Sequence, residues 1–224
     1  MILQKNFITG GQENVGLRVP SHSLALALLN QFESLGGEGV AAPSANRFGA
    51  VSPTTSLAVD EELGRDLNEE DLILDGGACN IGLESTIIDC TGKLPSILRP
   101  GAITIEMIEK SIGAKIDAHE SPKSIKASGS LTNHYSPKAK VRLNLLAAPG
   151  EGFIALANIP TPVGAHRLAS PVDVEEFARI LYDALRDGDR INLNEIKVMY
   201  PEGDGLALAI KDRLVKSSMK VGQN

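Results

Sequence analysis

An α/β fold is predicted by three observations. Apolar runs of period two, the mark of strands, alternate with runs of helical spacing on both sides of a stretch without periodicity. That stretch, 117–137, is rich in Lys, Ser and Gly and reads as a linker between a domain over 1–116 and a smaller one over 138–224. Composition agrees: 42% of the 224 residues are hydrophobic, yet only 4% are aromatic and Trp is absent, so aliphatic side chains and alanine must fill the core.

The elements follow in order. Val15 to Val19 alternates around Gly16 and Arg18 and stops at Pro20, a strand pattern. Ser21 or Ser23 is placed to cap a helix through Leu24, Ala25, Leu26, Leu28 and Leu29. Glu38 to Ala42 reads as a buried second strand. Thr54 or Thr55 starts a helix over Ser56 to Leu63 that Gly64 closes. Asp71 to Leu74 is a short strand ended by Asp75-Gly76-Gly77. Glu84 to Cys90 and Ser96 to Arg99 are two more strands, and Thr104 starts a helix over Ile105 to Ile112 that Gly113 stops. Beyond the linker, Ala139 to Leu146 and Gly152 to Ala157 read as strands. Val172 to Leu185 is an amphipathic helix with Val174, Phe177, Ala178, Leu181 and Leu185 on one face. Ile196 to Tyr200 is a strand and Gly205 to Lys216 the final helix. The strands before the linker are too few for a comfortable sheet, so either that domain is small or part of it lies N-terminal to Met1.

A net charge of -6 and a pI near 5.3 argue against a protein that grips nucleic acid over its whole surface. Cys79 and Cys90 are too few for a disulfide framework and lack metal-ligand spacing, so both read as buried small hydrophobes in a reducing compartment. Neither a signal peptide nor a bilayer-length apolar stretch is visible, and a cytoplasmic location is expected.

Candidate chemistry gathers at a few places. In the segment from Ala41 to Thr54 an apolar run gives way at Pro43 to Ser44, Asn46, Ser52 and Thr54, which offer donors without charge. Gly49, Pro43 and Pro53 shape an irregular backbone that can hold such donors together, although the same residues also make an ordinary polar loop. Arg18 either lines an exposed strand face or presents its planar fork to a carboxylate or phosphate at a pocket. Glu84-Ser85-Thr86 opens a strand after a Gly-containing loop. Arg99 ends another strand before a rigid Pro100-Gly101 turn. His134-Tyr135 in the linker either covers a pocket or packs on one. His22, His119 and His166 are isolated, and no metal ligand is assigned. There is no Ser-His-Asp pattern, P-loop or Gly-x-Gly-x-x-Gly, so acyl hydrolysis and P-loop phosphoryl transfer are unsupported. Two arginines with hydroxyls and turns suit an anionic nucleotide and a small carboxylate, with catalysis by positioning and charge stabilisation.

With these residues in view, the chain resembles the two-domain threonylcarbamoyl-AMP synthases. The resemblance rests on Val15-Gly16-Leu17-Arg18-Val19-Pro20, Ala41-Ala42-Pro43-Ser44-Ala45-Asn46, Ser52-Pro53-Thr54, Glu84-Ser85-Thr86-Ile87 and Leu98-Arg99-Pro100-Gly101-Ala102-Ile103-Thr104. His134-Tyr135-Ser136-Pro137 looks like the family's linker motif, and Gly205 to Leu214 like its C-terminal helix. The resemblance implies part of a YrdC-like twisted mixed sheet with helices, then a small Rossmann-like α/β domain. It implies formation of threonylcarbamoyl-AMP and pyrophosphate from L-threonine, bicarbonate and ATP with Mg²⁺, for threonylcarbamoyladenosine modification of tRNA by a downstream transferase machinery. Arg18 and Ser85 would contact threonine beside the Ala42 backbone. Asn14, Ser44, Ser52, Arg99 and Asn133 would hold ATP, and Asn46 completes a Ser-x-Asn signature. Arg18, Ser44 and Asn46 would carry the catalysis. All of this requires one cavity in which Arg18 and Arg99 converge with Ser44, Ser52 and Ser85.

Two departures stand out. The family's Pro-Thr-Glu-Thr-like strand and its phosphate-gripping Lys-x-Arg signature do not occur, so the chain reads as an N-terminally truncated synthase and a poor catalyst alone. Ser128 to Thr132 also replaces the usual Pro-Gly-Met pattern. The competing reading is a non-catalytic nucleotide- or RNA-binding fragment of that family, with Lys211, Arg213, Lys216 and Lys220 as a basic face for tRNA or double-stranded RNA.

Overall fold

The computed structural model describes residues 9, 11–116 and 135–219. The chain divides into two compact units, Met1–Ser44 and Ala45–Asn224.

The first unit holds helix α1, Ser23–Ser34. Its cap is not a serine: His22 Nδ1 accepts from the Leu24 amide at 3.3 Å, an acceptor placed where the first turn leaves its amides without partners. The segments expected as strands, 15–19 and 38–42, are irregular. A strand exists only through a hydrogen-bonded neighbour, and none pairs with these residues among those described.

The second unit opens with helix α2, Ser56–Leu63, which runs on through a 3₁₀ turn, Gly64–Asp66. Thr55, one of the two expected caps, accepts from the Ala58 amide at 3.1 Å. Residues 71–74 form no strand, and Leu72 is 82% exposed. Strands β1, Ile87–Asp89, and β2, Ser96–Arg99, make an antiparallel pair. Only the middle of the expected Glu84 to Cys90 strand joins that ladder. Cys79 and Cys90 are both exposed rather than buried, because each lies on irregular chain outside the ladder. Helix α3, Ile105–Ile112, has the expected ends: Thr104 caps the Met107 amide, and Gly113 adopts φ +66, a left-handed turn that a Cβ would oppose.

Beyond residue 134 the strands β3, Lys140–Leu143, β4, Gly152–Ala155, β5, His166–Ala169, and β6, Glu195–Met199, form an all-parallel sheet of order β3-β6-β4-β5. Every residue of central β4 is buried, as a strand covered on both faces requires. Helices α4, Val174–Arg190, and α5, Leu206–Ser218, pack on one face through Phe177, Leu181, Leu185, Ile210 and Leu214 against Val141, Ile154 and Val198. On the other face Phe153 and Ala155 meet Ala147, and the Arg167 guanidinium lies 5.2 Å from the Phe153 ring centroid. Edge strand β5 escapes the periodicity reading because His166 and Arg167 leave it little apolar alternation. Arg167 instead donates to the carbonyls of Ala155, Leu156 and Ala169.

The core around α4 extends to Val51, Leu83 and Tyr135. Two arginines of α4 reinforce that junction. Arg186 donates to Glu62 at 3.0 Å and to the Val51 carbonyl, and Arg190 pairs with Glu61 at 2.9 Å. The α/β class is as predicted, realised in this unit as an antiparallel pair and a separate parallel sheet.

Candidate functional site

Three segments of the second unit that carry candidate residues meet around one carboxylate. Glu84 Oε1 accepts from the Ser52 hydroxyl at 2.7 Å. Its Oε2 accepts from the Tyr182 hydroxyl at 2.9 Å and from Arg213 Nε at 2.8 Å. Burial works against the charge on Glu84, but the hydrogen bonds from Ser52 and Arg213 outweigh it and hold the carboxyl below the usual carboxylate range. Burial first, and then the negative Glu84 beside it, push the Tyr182 phenol well above its ordinary range. An ionised Glu84 is an acceptor only, so the proton of Ser52 is committed to it. The Ser52 oxygen keeps its lone pairs for any other partner.

Arg99 belongs to the same cluster. It is 5% exposed and donates Nε and Nη2 to the Ser85 carbonyl at 3.1 and 2.9 Å. Thr86 donates its hydroxyl to the Ile103 carbonyl at 2.7 Å. The two segments touch so closely that a Cβ on Gly101 would stand 2.4 Å from the Thr86 amide nitrogen, which leaves room for glycine alone. Ser85 itself is exposed. An open groove lies beside the cluster, between Thr86, Pro100, Gly101 and the first turns of α3 and α5, lined mainly by Ile97, Ile103, Ile105 and Leu208.

Asn46 is a loop brace. Its Nδ2 donates to the Arg47 and Ala50 carbonyls at 2.8 and 3.0 Å, while its buried Oδ1 has no hydrogen-bond partner among the described residues. Ala45 before it takes φ +53, an uncommon conformation for alanine, so the Ser-x-Asn signature sits on strained backbone. Tyr135 is buried, takes φ +64, and stacks on Tyr182 with ring centroids 5.8 Å apart. The amide of Ser136 donates to the Gly49 carbonyl at 2.9 Å, so this segment packs on the Asn46 loop.

The structure thus brings Ser52, Ser85 and Arg99 together. Asn14, Arg18, Ala42 and Ser44 are all exposed and belong to the first unit. Asn133 and His134 lie outside the described residues, as does Lys220. The basic face expected of the last helix loses its centre, because Arg213 is fully buried and Lys216 pairs with Asp212 at 2.9 Å. The sequence does carry a signal for this: Arg213 falls between Ile210 and Leu214 on the apolar stripe of α5, where a charge is retained only with partners. Glu84 and Tyr182 carry no such signal. Among the described residues no group of three His, Cys, Asp or Glu is placed to hold a metal ion, and no helix is long and apolar enough to cross a membrane.

Comparison with known proteins gives a consistent picture. Residues 2–101 match the Sua5/YciO/YrdC family, described as "Telomere recombination", and residues 103–218 match "Threonylcarbamoyl-AMP synthase, C-terminal domain". The chain is 37% identical over 231 residues to the threonylcarbamoyl-AMP synthase of Pyrococcus abyssi, covering 94% of itself and 66% of that protein. It is 34% identical over 235 residues to the Bacillus subtilis enzyme of the same name, covering 65% of it. Among solved structures it matches P. abyssi Sua5 complexed with L-threonine, with a TM-score of 0.78 and 34% identity over 95% of this chain and 66% of that one. A His/Tyr-to-alanine double variant of P. abyssi Sua5 also matches, at a TM-score of 0.75 and 34% identity over 95% of this chain and 65% of that one. The chain therefore spans just under two-thirds of the length of these relatives, and it belongs to the threonylcarbamoyl-AMP synthase family.

Proposed function

We propose that this chain serves the formation of threonylcarbamoyl-AMP and pyrophosphate from L-threonine, bicarbonate and ATP. The convergence of the Ser52, Ser85 and Arg99 segments around the Glu84 carboxylate supports this reading most directly. A P. abyssi relative with L-threonine bound adds to it. Arg18 and Ser85 would hold threonine beside the Ala42 backbone. Asn14, Ser44, Ser52, Arg99 and Asn133 would hold ATP, with Asn46 keeping the Ser-x-Asn turn in shape.

The chemistry asks for alignment and charge compensation rather than a protein nucleophile. A carbamate oxygen attacks the α-phosphorus of ATP as pyrophosphate leaves, and charge spread over the phosphate oxygens is met by guanidinium and amide donors. Mg²⁺ would enter with the nucleotide phosphates and offset part of their charge. The adenylate would pass to a transferase acting on tRNA in the cytoplasm. Direct contact with tRNA or other double-stranded RNA falls within the same proposal, as does a division into domains 1–116 and 138–224.

Calorimetric titration of the purified chain with L-threonine and with ATP, alongside threonine-dependent pyrophosphate release, tests the reading. Saturable threonine binding at one site is expected, weakened by Ser85→Ala. A chain that neither binds threonine nor releases pyrophosphate in its presence overturns it.

A further inference from the structure

The side chain of Arg213 is 0% exposed, an unusual fate for a residue that carries a permanent charge. Its donors are spread over three places. Nε donates to the Glu84 carboxylate at 2.8 Å, Nη2 to the Pro100 carbonyl at 2.9 Å and the Glu84 carbonyl at 3.3 Å, and Nη1 to Asp212. The face of its guanidinium lies 5.4 Å from the Tyr135 ring centroid. Glu84 immediately precedes Ser85, and Pro100 immediately follows Arg99. The other oxygen of the same carboxylate accepts from the Ser52 hydroxyl.

We propose that Arg213 is a positioning residue for the site: from helix α5 it holds the Glu84 and Pro100 segments at a fixed separation, and so sets the orientation of Ser52, Ser85 and Arg99. The claim rests on the function proposed above for those three residues. A planar fork suits this task, since two carbonyls and the Glu84 carboxylate take donors from different nitrogens while Asp212 takes the third. An ammonium group is a point donor and cannot span all three. The C-terminal helix then reaches the site through one side chain, without touching any ligand itself.

The test compares Arg213→Lys with Ile196→Val, a conservative change on strand β6 that makes none of the cluster's hydrogen bonds, in the full chain. Amide chemical shifts and hydrogen exchange at Ser52, Ser85 and Gly101 are read without ligand, and the dissociation constant for L-threonine is read by calorimetry. A positioning role predicts shifted and faster-exchanging amides at those three residues. It also predicts roughly tenfold weaker threonine binding in Arg213→Lys, as for one lost charge-assisted hydrogen bond. Ile196→Val should change neither. Where Arg213→Lys does not fold, Tyr182→Phe removes one donor from the same carboxylate and should give the same pattern at smaller amplitude. Unchanged amides at Ser52, Ser85 and Gly101 in a folded variant overturn the proposal, and so does unchanged threonine affinity where the parent chain binds. Absence of threonine binding in the parent chain counts against the proposed function instead, and the ligand-free amides alone then decide whether Arg213 positions these segments.

Discussion

Helix α1 carries Leu24, Leu26, Leu28 and Phe32, all of them exposed, whereas helix α4 buries Phe177, Leu181 and Leu185 completely. Both helices are readable from spacing rather than from their caps, and both form. What separates them is whether other described residues of the same unit cover the apolar face. In α4, Val174, Phe177, Ala178, Leu181 and Leu185 recur at three- and four-residue steps and make one stripe that a sheet can cover. In α1 Leu24, Leu28 and Phe32 recur at four-residue steps with Ala25 and Leu29 beside them, so an apolar face exists there too, yet none of its residues is buried. Local signals make a helix, and a partner that covers its apolar face makes it part of a core.

Truncating side chains on the two helices sharpens that contrast. Phe177→Ala should cost about 4 kcal/mol of unfolding free energy, the usual loss for a fully buried aromatic, measured as a shift of the urea midpoint at constant slope. A loss under about 1 kcal/mol would mean that the α4 stripe does not carry the core of the second unit.

Next in size is the link from α5 to the polar cluster. Glu84→Gln leaves Arg213 buried beside a neutral partner and should cost about 3 kcal/mol at neutral pH. Because the folded-state pKa of Glu84 is depressed, its contribution is fully present above the unfolded-state pKa and is lost as pH falls through the folded value. The stability gap between parent and variant should therefore narrow on acidification. A gap that widens in acid would reverse the sign and break the assignment.

A smaller effect is expected where only a cap is lost. Thr104→Ala removes the acceptor for the Met107 amide and should cost about 1 kcal/mol, with faster exchange confined to the first turn of α3. At the foot of the series, Leu28→Ala on α1 should change the unfolding free energy by less than about 0.5 kcal/mol. A loss comparable with that of Phe177→Ala would erase the distinction between the two helices.

The elements legible in the sequence share one property: their signals are local. Thr55, Thr104 and Gly113 mark helix ends because the groups they satisfy or the φ they permit lie within one turn. The strands expected at 15–19, 38–42 and 71–74 do not form, since a strand is a pairing and the partner is not written beside it. β5 is illegible for the converse reason, its place being given by β4 rather than by its own residues. In the site, Ser52, Ser85 and Arg99 stand out by motif; Glu84 and Arg213 fall within motifs that do not mark them as partners, and Tyr182 falls in none, although the three are hydrogen-bonded together.

Taken alone, the amino-acid order determined the α/β class, the family motifs and the ends of α2 and α3, because propensity, capping and periodicity act over a few residues; α4, expected over Val172 to Leu185, instead runs from Val174 to Arg190. Tertiary structure decided which charges are buried. Glu84 and Arg213 stand 129 positions apart, and only the packing of α4 and α5 on the sheet brings them within 2.8 Å in surroundings dry enough to make the pair matter.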